Sequence, residues 1–310
     1  MIVVFGSLNA DLIMAVESLP RPGQTVLCPR YRVAPGGKGA NQAAAAARAG
    51  AKVRMFGKIG ADTFGDLVLA ALGAAGVDAG GVGRAGDPTG CAVVSVDAEG
   101  ENQIVVASGA NRKASAAQVP DAALGPEATV VLQSEVPMEE NAALIARARR
   151  AGARIMLNAA PAGAVPQAAL EQLDLLVVNE IEAEALCREA GPVLSDPEAA
   201  GRHLAESFGL NAVVTLGGDG ARAFGPQGAW SVDALKITPV DTTGAGDAFV
   251  GVLAAALDAG HELPDALRRA SVAAGLACLA EGAQTGLPDA AAIDRRLADL
   301  APARDLIGRA

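Results

Sequence analysis

The feature that most constrains the fold of this 310-residue chain is a regular alternation of short apolar runs with alanine-rich stretches of helical length. The apolar runs lack polar alternation, which is typical of strands buried on both faces of a sheet. Helices between such strands predict a doubly wound, mostly parallel α/β fold that binds ligands at the carboxyl ends of its strands. The predicted strands are Ile2–Phe5, Val53–Phe56, Thr129–Leu132, Arg154–Leu157, Leu175–Val178 and Ala212–Leu216. The predicted helices are Ala40–Ala49, Phe64–Ala75, Met138–Ala151, Ile181–Ala190, Pro197–Phe208, Ala248–Ala259 and Pro264–Ala280.

Two segments, at about 10–35 and 90–107, interrupt this alternation. The second predicts a β-hairpin, in which Cys91–Val96 and Gln103–Ala107 flank a turn at 97–100. We expect one domain over residues 1–310, with the two segments forming a small separate sheet that acts as a lid. The exposed face of such a sheet would require a partner. The alternating runs of the first segment are Leu12–Val16, Gln24–Cys28 and Arg30–Ala34.

Composition argues against several classes of function. The formal net charge of −10 disfavours nucleic acid and anionic membranes as partners. The four cysteines are far apart in the sequence, which indicates neither a disulfide framework nor a zinc site. With only two histidines, a histidine-based triad or metal cluster is not expected. The sequence shows no signal-peptide pattern and no uninterrupted run of membrane-spanning length, so we expect a cytoplasmic protein.

The first candidate for chemistry is the turn Gly244-Ala245-Gly246, which leads into Asp247 and a long apolar stretch. Small residues at a helix N-terminus expose backbone N–H groups to an anion, and the helix dipole favours negative charge there. An acid beside a bound phosphate can serve as the base in phosphoryl transfer to an alcohol. The structural alternative is that Asp247 only caps the helix.

A second glycine-rich turn, Gly36-Gly37-Lys38-Gly39-Ala40-Asn41, precedes another alanine-rich helix. Its spacing fits neither a Walker A loop nor the dinucleotide-binding G-x-G-x-x-G fingerprint. Its amides, with Lys38 and Asn41, suit a polar and neutral ligand. A glycine-rich hinge for the lid is the alternative.

Asn9 and Asp11 follow the first strand and share one face if the chain is extended there, which suits a vicinal diol. An Asx-turn remains the alternative reading of this pair. Glu135 lies just beyond another strand end, where ligands of this fold class collect, although such a residue is often an ordinary surface acid.

Two further motifs follow later strands. Asn179 and Glu182 lie three residues apart at a helix start, where they could hold a hydrated Mg²⁺ or form a capping box. The segment Thr215-Leu-Gly217-Gly-Asp-Gly220 is a strand entering a glycine turn, which could hold a nucleotide through its backbone or simply close a hairpin.

Together these motifs resemble those of the ribokinase-like (PfkB) carbohydrate kinases, and the resemblance covers nearly the whole chain. The order of several independent motifs is more specific than any one of them. The matching segments are Gly6–Asp11, Gly36–Gln42, Gly100–Gln103, Gly109–Asn111, Leu157–Pro161, Asn179–Glu184, Asp241–Gly251 and Gly282–Gln284.

The resemblance implies ATP-dependent phosphorylation of a primary sugar hydroxyl, with the 5-hydroxyl of D-ribose as the expected acceptor. It implies that Asp247 is the base and that Gly244, Ala245 and Gly246 form the anion hole. The implied sugar-binding residues are Asn9, Asp11, Gly37, Lys38, Asn41, Glu135 and Asp247. The implied ATP-binding residues are Asn179, Thr215, Gly217, Gly220, Gly246 and Ser271, with Glu182 associated with Mg²⁺. The implied K⁺ loop contains Asp241, Thr243, Ala277, Ala280, Gly282 and Gly286.

Two positions depart from the family pattern. Gly286 supplies no hydroxyl where family members often carry serine, which puts K⁺ dependence in doubt. Ser271 replaces a larger residue expected near the adenine, so nucleotide preference is less defined. The resemblance also implies a homodimer formed through the lid.

The substrate stays open among related acceptors at this stage. The Gly-Gly-Lys-Gly-Ala-Asn-Gln segment favours ribose over fructose or adenosine, whereas deoxyribose, another pentose or a nucleoside remains an alternative. A non-catalytic sugar-binding protein is disfavoured by the presence of Asp247, Asn179 and Glu182. A NAD-dependent dehydrogenase would share the fold class but lacks its fingerprint here.

Overall fold

The computed structural model describes residues 1–97, 99, 101–191 and 194–307. Its strands are β1 Ile2–Phe5, β2 Asn9–Ala15, β3 Tyr31–Gly36, β4 Val53–Gly60, β5 Asp78–Ala85, β6 Gly90–Val96, β7 Asn102–Ala107, β8 Thr129–Gln133, β9 Arg154–Asn158, β10 Leu175–Asn179, β11 Asn211–Thr215, β12 Ala221–Gly225, β13 Gly228–Val232 and β14 Arg304–Asp305. Its α-helices are α1 Lys38–Arg48, α2 Thr63–Ala74, α3 Met138–Ala151, α4 Gln167–Leu170, α5 Glu180–Ala190, α6 Pro197–Phe208, α7 Ala245–Asp258, α8 Leu263–Ala277 and α9 Ala290–Arg296.

Ten strands form the main sheet, in the order β14-β13-β12-β11-β10-β9-β8-β1-β4-β5. The strands from β5 to β11 in this order are parallel, and β12, β13 and β14 extend the sheet in antiparallel fashion. Because the chain runs outward from β1 in both directions, strand order reverses beside β1. The carboxyl ends of β1 and its neighbours therefore border the crevice in which such folds bind ligands.

Both faces of the main sheet are buried, as the continuous apolar strands predict. In β1, Ile2 and Val4 belong to one hydrophobic core, and Val3 and Phe5 belong to the other. The first core contains residues of α1, α2, α7, α8 and α9. The second contains residues of α3, α4, α5 and α6. The predicted doubly wound α/β fold is confirmed.

A separate four-stranded sheet has the order β3-β2-β6-β7. Strand β2 pairs antiparallel with β3 and parallel with β6, and β6 pairs antiparallel with β7. The predicted hairpin is therefore present, although Ala98 and Gly100 of its turn lie outside the described residues. The prediction of a strand at Gln24–Cys28 is wrong. Leu27 there is 87% exposed, so the apolar alternation of this run does not reflect burial in a sheet.

Other differences from the sequence predictions concern helix α7 and several peripheral elements. Helix α7 begins at Ala245 rather than Ala248, which places Asp247 inside its first turn. Helix α8 ends at Ala277 rather than Ala280. Strand β5 and strands β12 to β14 were not predicted. Among the described residues, no helix combines the length and apolar character needed to cross a bilayer.

Candidate active site

Asp247 occupies the third position of α7, where it is 8% exposed. The N-cap of the helix is Gly244, with φ 78°, and no side chain caps the helix. The interpretation of Asp247 as a cap is therefore wrong. Among the described residues, the N–H groups of Gly246 and Asp247 find no hydrogen-bond acceptor, whereas Ala245 N–H donates to the Thr242 carbonyl at 3.2 Å. The free amides of this helix start are thus those of Gly246 and Asp247, and Ala245 does not offer one.

Two neighbouring amides of α1 hold the Asp247 carboxylate. Asn41 Nδ2 donates to Oδ2 and Gln42 Nε2 donates to Oδ1, both at 2.9 Å. Helix α1 approaches this closely because α7 carries Gly251, where a Cβ would lie 2.5 Å from the Gln42 carbonyl oxygen. Gln284 Nε2 donates to Asn41 Oδ1 at 2.9 Å and fixes the orientation of that amide. The carboxylate is thus bound at both oxygens by oriented donors.

The predicted sugar-binding residues meet where β2, β3 and α1 converge. Glu135 Oε2 accepts hydrogen bonds from Ser7 Oγ at 2.5 Å and from the Lys38 backbone N–H at 3.2 Å. Asn9 is 3% exposed, and its Oδ1 accepts from Asn111 Nδ2 at 2.7 Å. Asn9 and Asp11 both lie in β2, as the extended interpretation expects, and not in an Asx-turn.

Glycines allow the strands around this cluster to approach closely. Gly36 lies opposite Asn9 in the β2–β3 pair, and a Cβ on it would lie 2.1 Å from a carboxylate oxygen of Asp11. Gly37 has φ 89° and is the N-cap of α1, and a Cβ there would lie 2.7 Å from the Asn9 backbone nitrogen. The glycine pair thus brings Asp11 and the start of α1 together.

Acidic groups dominate the electrostatics of the site. Burial is the largest cause that raises the pKa of Asp11 to about 7; the carboxylates of Glu135 and Asp247 contribute to this rise, and Lys38 opposes it. Burial alone would lower the pKa of Lys38, but Asp247, Glu135, Glu182 and Asp11 outweigh it and raise the pKa. Lys38 therefore stays protonated at neutral pH, whereas Asp11 titrates there.

Asn179 and Glu182 form a capping box at the start of α5. Asn179 Oδ1 accepts from the Glu182 backbone N–H and Glu182 Oε2 accepts from the Asn179 backbone N–H, both at 2.9 Å. Burial raises the pKa of Glu182, which is 7% exposed. Both residues also line one cavity together with Lys38, Asn158, Thr215, Gly244, Gly246 and Asp247. The capping box therefore does not remove them from the site.

The remaining residues of the predicted nucleotide set lie apart from this cavity. Gly217 and Gly220 have φ 52° and 85° in the connection between the antiparallel strands β11 and β12, so this motif does close a hairpin. Ser271 is 4% exposed, and its hydroxyl donates to the Asp233 carbonyl at 2.7 Å. Ser271 does not line the cavity beside Asp247. Its hydroxyl is instead hydrogen-bonded to the backbone just after β13.

The predicted cation loop is held together by Asp241. Its carboxylate accepts from the N–H groups of Thr243 at 2.9 Å and Gly282 at 2.8 Å. Burial would raise the pKa of Asp241, but these hydrogen bonds outweigh it and lower the pKa. A Cβ on Gly286 would lie 2.3 Å from the Ala277 carbonyl oxygen, so the position has no room for the missing serine in this conformation. Among the described residues, no hydrogen bond to Ala280 supports its predicted place in this loop.

Several polar residues of the site were not singled out from the sequence. The structure adds Ser7, Gln42, Asn111, Gln133, Asn158 and Gln284. Five of them, Ser7, Gln42, Asn111, Asn158 and Gln284, stand inside the motifs quoted above, but the motifs gave them no role. Gln133 could have been noticed because it is a polar residue ending a buried apolar strand.

The arrangement has two sides that meet at Asp247. On one side are an amide and two carboxylates that can hydrogen-bond to hydroxyl groups, namely Asn9, Asp11 and Glu135. On the other are free helix amides and an ammonium group, which suit phosphate. Among the described residues, no group of three or more histidine, cysteine or acidic side chains could hold a metal ion by itself. Such a site is built to bring an alcohol and a phosphate ester together beside a base.

Comparison with known proteins agrees with this chemistry. The sequence pattern of the pfkB family carbohydrate kinases matches residues 1–290. The chain belongs to the pfkB family of carbohydrate kinases, and it is accordingly a phosphotransferase. Within that family it falls among the sugar and nucleoside kinases related to ribokinase.

Two relatives of similar sequence have names that refer to different sugars. The ribokinase of Bacillus subtilis is 37% identical over 289 residues, which cover 93% of this chain and 96% of the relative. The deoxyribokinase of Salmonella typhi is 33% identical over 291 residues, which cover 93% of this chain and 95% of the relative.

Solved structures share the fold over nearly the full length. The ribokinase of Thermotoga maritima superposes with a TM-score of 0.89 at 32% identity, covering 96% of this chain and 99% of that one. The ribokinase of Arabidopsis thaliana, solved with ribose and ATP, gives a TM-score of 0.85 at 31% identity, covering 96% and 98%.

Proposed function

We propose that this protein uses ATP to phosphorylate the 5-hydroxyl of D-ribose, giving ribose 5-phosphate, with Asp247 as the base. The observation that carries the proposal is the Asp247 carboxylate, which Asn41 and Gln42 hold at both oxygens in the first turn of α7, the turn that also carries the free N–H groups of Gly246 and Asp247. The names of the B. subtilis and T. maritima relatives, and the ribose and ATP bound by the A. thaliana relative, support ribose as the acceptor.

In this reaction the sugar hydroxyl lies between Asp247 and the γ-phosphorus of ATP. Asp247 accepts the hydroxyl proton, the new O–P bond forms, and the bond between the γ-phosphorus and the β–γ bridging oxygen breaks to release ADP. The free N–H groups of Gly246 and Asp247 and the dipole of α7 stabilise negative charge on the transferring phosphoryl group. The Lys38 ammonium group adds a positive charge, because its acidic neighbours raise its pKa and keep it protonated.

The sugar is bound by a set of groups that can accept or donate several hydrogen bonds. Carboxylates accept from sugar hydroxyls, and the carboxamides both donate and accept. The glycine at position 37 lets the start of α1 pack closely against the backbone at Asn9, which brings its amides to the proposed sugar site. This set contains Asn9, Asp11, Gly37, Lys38, Asn41 and Glu135.

The nucleotide set in this proposal is Asn179, Thr215, Gly217, Gly220, Gly246 and Ser271, of which Asn179, Thr215 and Gly246 line the cavity beside Asp247 and the other three do not. Ser271 is the weakest member of this set, since its hydroxyl already donates to Asp233. Mg²⁺ fits this site as the ion of the nucleotide, because it retains waters and takes substrate phosphates rather than a protein cage. Glu182 would hold one of those waters, and the ion, when bound, neutralises charge on the phosphates.

A monovalent cation, K⁺, is proposed at the loop that contains Asp241, Thr243, Ala277, Ala280, Gly282 and Gly286. Support comes from the Asp241 carboxylate, whose pKa is lowered by hydrogen bonds with Thr243 and Gly282 and which therefore stays ionised beside a cation. Gly286 supplies no hydroxyl, so we expect weaker cation activation than a serine at this position would give.

We further propose that residues 1–310 act as one kinase domain whose four-stranded sheet is the lid over the sugar. A lid excludes water and limits wasteful hydrolysis of ATP. The outer part of this sheet is proposed to join two copies into a homodimer. The cytoplasmic location expected from the sequence stays a prediction.

The alternative acceptor with specific support is deoxyribose, because the S. typhi deoxyribokinase is nearly as similar as the ribokinases. The test is ADP release from ATP with ribose, deoxyribose, fructose, adenosine or pseudouridine, each with and without K⁺. We expect the highest kcat/KM with ribose and stimulation by K⁺. Background activity with ribose would contradict the proposal, and preference for deoxyribose would replace it with the alternative.

A further inference from the structure

A chain of buried amides leads from the main sheet to Asp247. Gln133, the last residue of β8, donates from Nε2 to Gln42 Oε1 at 2.8 Å. Gln42, on α1, donates in turn from Nε2 to Asp247 Oδ1 at 2.9 Å. Both glutamines are 0% exposed, so bulk water does not compete for these bonds.

The chemistry of the neighbours fixes the direction of this chain. An amide has the same shape when its oxygen and nitrogen are exchanged, so its orientation follows from its partners. Asn158 Nδ2 donates to the Val177 carbonyl at 3.1 Å, which turns Asn158 Oδ1 toward Gln42 Nε2 at 3.0 Å. An ionised Asp247 carboxylate can likewise only accept hydrogen bonds. Gln42 must therefore direct its NH₂ group at both residues and its oxygen at Gln133.

This orientation of the amides leaves a buried oxygen of Gln133 without a hydrogen-bond donor in the described part of the chain. Its Nε2 donates to Gln42, and its Oε1 then has no partner among the described residues. That oxygen lies 1.8 Å from the place of a Cβ on Gly6, so a larger residue at position 6 would force the Gln133 amide to move. A buried acceptor without a donor is unfavourable, and an apolar side chain at 133 would avoid it. A glutamine in this place indicates that its donor function outweighs the cost.

We infer that Gln42 and Gln133 are positioning residues that orient the Asp247 carboxylate toward the acceptor hydroxyl. This inference rests on the proposed function, in which Asp247 is the base. With Asn41 bound to Oδ2 and Gln42 to Oδ1, the carboxylate cannot rotate without losing a hydrogen bond. Gln133 acts one step further away, by keeping the Gln42 amide in the donating orientation.

Charged groups act on the same carboxylate in another way. Lys38 on α1, Asp11 on β2 and Glu182 on α5 all interact electrostatically with Asp247. Their effect depends on distance and not on the direction of a bond. Replacing either glutamine by a neutral residue is therefore expected to change turnover by altering the orientation of the Asp247 carboxylate, because the charged groups around Asp247 remain in place.

The first test is Gln133→Met, which keeps a similar volume and removes both the donor and the unpaired acceptor. Gln42 Oε1 then becomes unpaired instead, so we expect a melting temperature within ~2 °C of the wild type. We expect kcat to fall ~3–10-fold and KM for the sugar to change less than ~2-fold, because orientation of the base matters in the transition state.

The second variant, Gln42→Met, removes the hydrogen bond to Asp247 itself. We expect kcat to fall ~10–100-fold, with sugar binding by calorimetry within ~3-fold of the wild type. If this variant does not fold, Gln133→Met decides the question.

The matched control is Gln118→Met. Gln118 Nε2 donates to the carbonyls of Gly57 at 2.7 Å and Gly81 at 3.3 Å, and it makes no bond to the site. We expect this variant to lose stability while kcat stays within ~2-fold. The inference is overturned if both other glutamine variants keep kcat within ~2-fold of this control, or if kcat and KM change by the same factor.

Failure of the inference about Gln42 and Gln133 can be distinguished from failure of the proposed function. If the wild type phosphorylates another sugar or a nucleoside but not ribose, the ribose assignment fails and the comparison proceeds with that acceptor. If Asp247→Asn turns over normally, the base assignment fails, and the inference fails with it. If Asp247→Asn is inactive while both glutamine variants are normal, only the inference fails.

Discussion

At the scale of single residues, the balance between burial and charge defines the site. Asp11 is an acid with a pKa of about 7, beside a lysine that stays protonated and a glutamate bound by Ser7 and by the start of α1. Sugar hydroxyls that donate to Asp11 would stabilise its ionised form and lower its pKa. The proposed contact between the sugar and Asp11 would therefore couple sugar binding to proton release.

This coupling predicts a pH dependence of sugar affinity. With a pKa of about 7 in the free protein, Asp11 is mostly protonated at pH 6 and mostly ionised at pH 8. We expect ribose to bind about 10-fold more weakly at pH 6 than at pH 8. Calorimetry at pH 7 in buffers of different ionisation enthalpy should show release of about half a proton.

Asp11→Asn is the control for this assignment. It removes the titrating group but keeps a side chain of similar size, so the change in affinity between pH 6 and pH 8 should disappear even if affinity is lower at both. Equal affinity of the wild type at the two pH values, with no proton released, would contradict the role given to Asp11.

The residue types of the site were predictable from the sequence, whereas their partners were not. Asp247, Lys38 and Asn41 stand in short glycine-rich motifs whose local geometry follows from the sequence. The bond from Gln42 to Asp247 joins residues 205 positions apart, so it depends on how α1 packs against α7. For the same reason, the sequence did not indicate that Ala245 N–H is engaged by Thr242.

At the scale of elements, the start of α7 depends on one glycine. Gly244 has φ 78°, and a Cβ there would lie 2.7 Å from the Ala283 Cα. Gly244→Ala should therefore combine a backbone penalty of ~1–2 kcal/mol with a steric clash against Ala283. We expect the free energy of unfolding to fall by ~2–4 kcal/mol, measured by urea denaturation.

Gly76→Ala separates the two contributions. Gly76 has φ 84° but no atom within 4 Å of its Cβ position, so it carries the backbone penalty alone. We expect it to cost ~1–2 kcal/mol, less than Gly244→Ala. Equal costs at the two positions would contradict the tight packing of α7 against Ala283.

Strongly patterned elements were predicted well, and weakly patterned ones were missed. Helices α3 and α6 have the predicted bounds because apolar periodicity, caps and flanking glycines agree. Strand β5 was missed because its sequence, Asp-Ala-Gly-Gly-Val-Gly-Arg-Ala, is rich in glycine, and it lies at the edge of the sheet. Gln24–Cys28 has the alternation of a strand but lies in a loop, since alternation without burial does not fix a strand.

At the scale of the whole molecule, the four-stranded sheet carries apolar residues that this chain leaves uncovered. Ile104 and Val105 are 52% and 65% exposed on β7, and Tyr31 is 68% exposed on β3. Neighbouring residues of a strand point to opposite faces, so both faces of the sheet are apolar along β7. A sugar and a second copy of the chain would each cover one face.

A homodimer through this sheet predicts a change in solution mass. The wild type should elute with twice the 30.8 kDa mass of the chain, and Val105→Lys should elute as a monomer because a buried lysine would lose its hydration. Multi-angle light scattering gives both masses. Ile307→Lys, which changes a residue 52% exposed outside the sheet, is the control and should remain a dimer. A monomeric wild type, or a dimeric Val105→Lys, would contradict the proposed interface.

The overall architecture followed from the sequence because continuous apolar strands and amphipathic helices specify a doubly wound sheet almost independently of detail. Two interrupting segments, distant in sequence, also pointed to one small sheet, and β2 indeed pairs with β6, from Asn9 with Gly90 to Ala15 with Val96.

The measurement that tests the central claim most directly compares turnover with sugar binding in Asp247→Asn. Asparagine keeps the shape and one acceptor for its neighbours on α1 but cannot take the hydroxyl proton. The account predicts that ribose-dependent ADP release falls ~100-fold or more, while ribose binding measured by calorimetry stays within ~5-fold of the wild type. Near-normal turnover in this variant would contradict the account, because the base would then have to be another group.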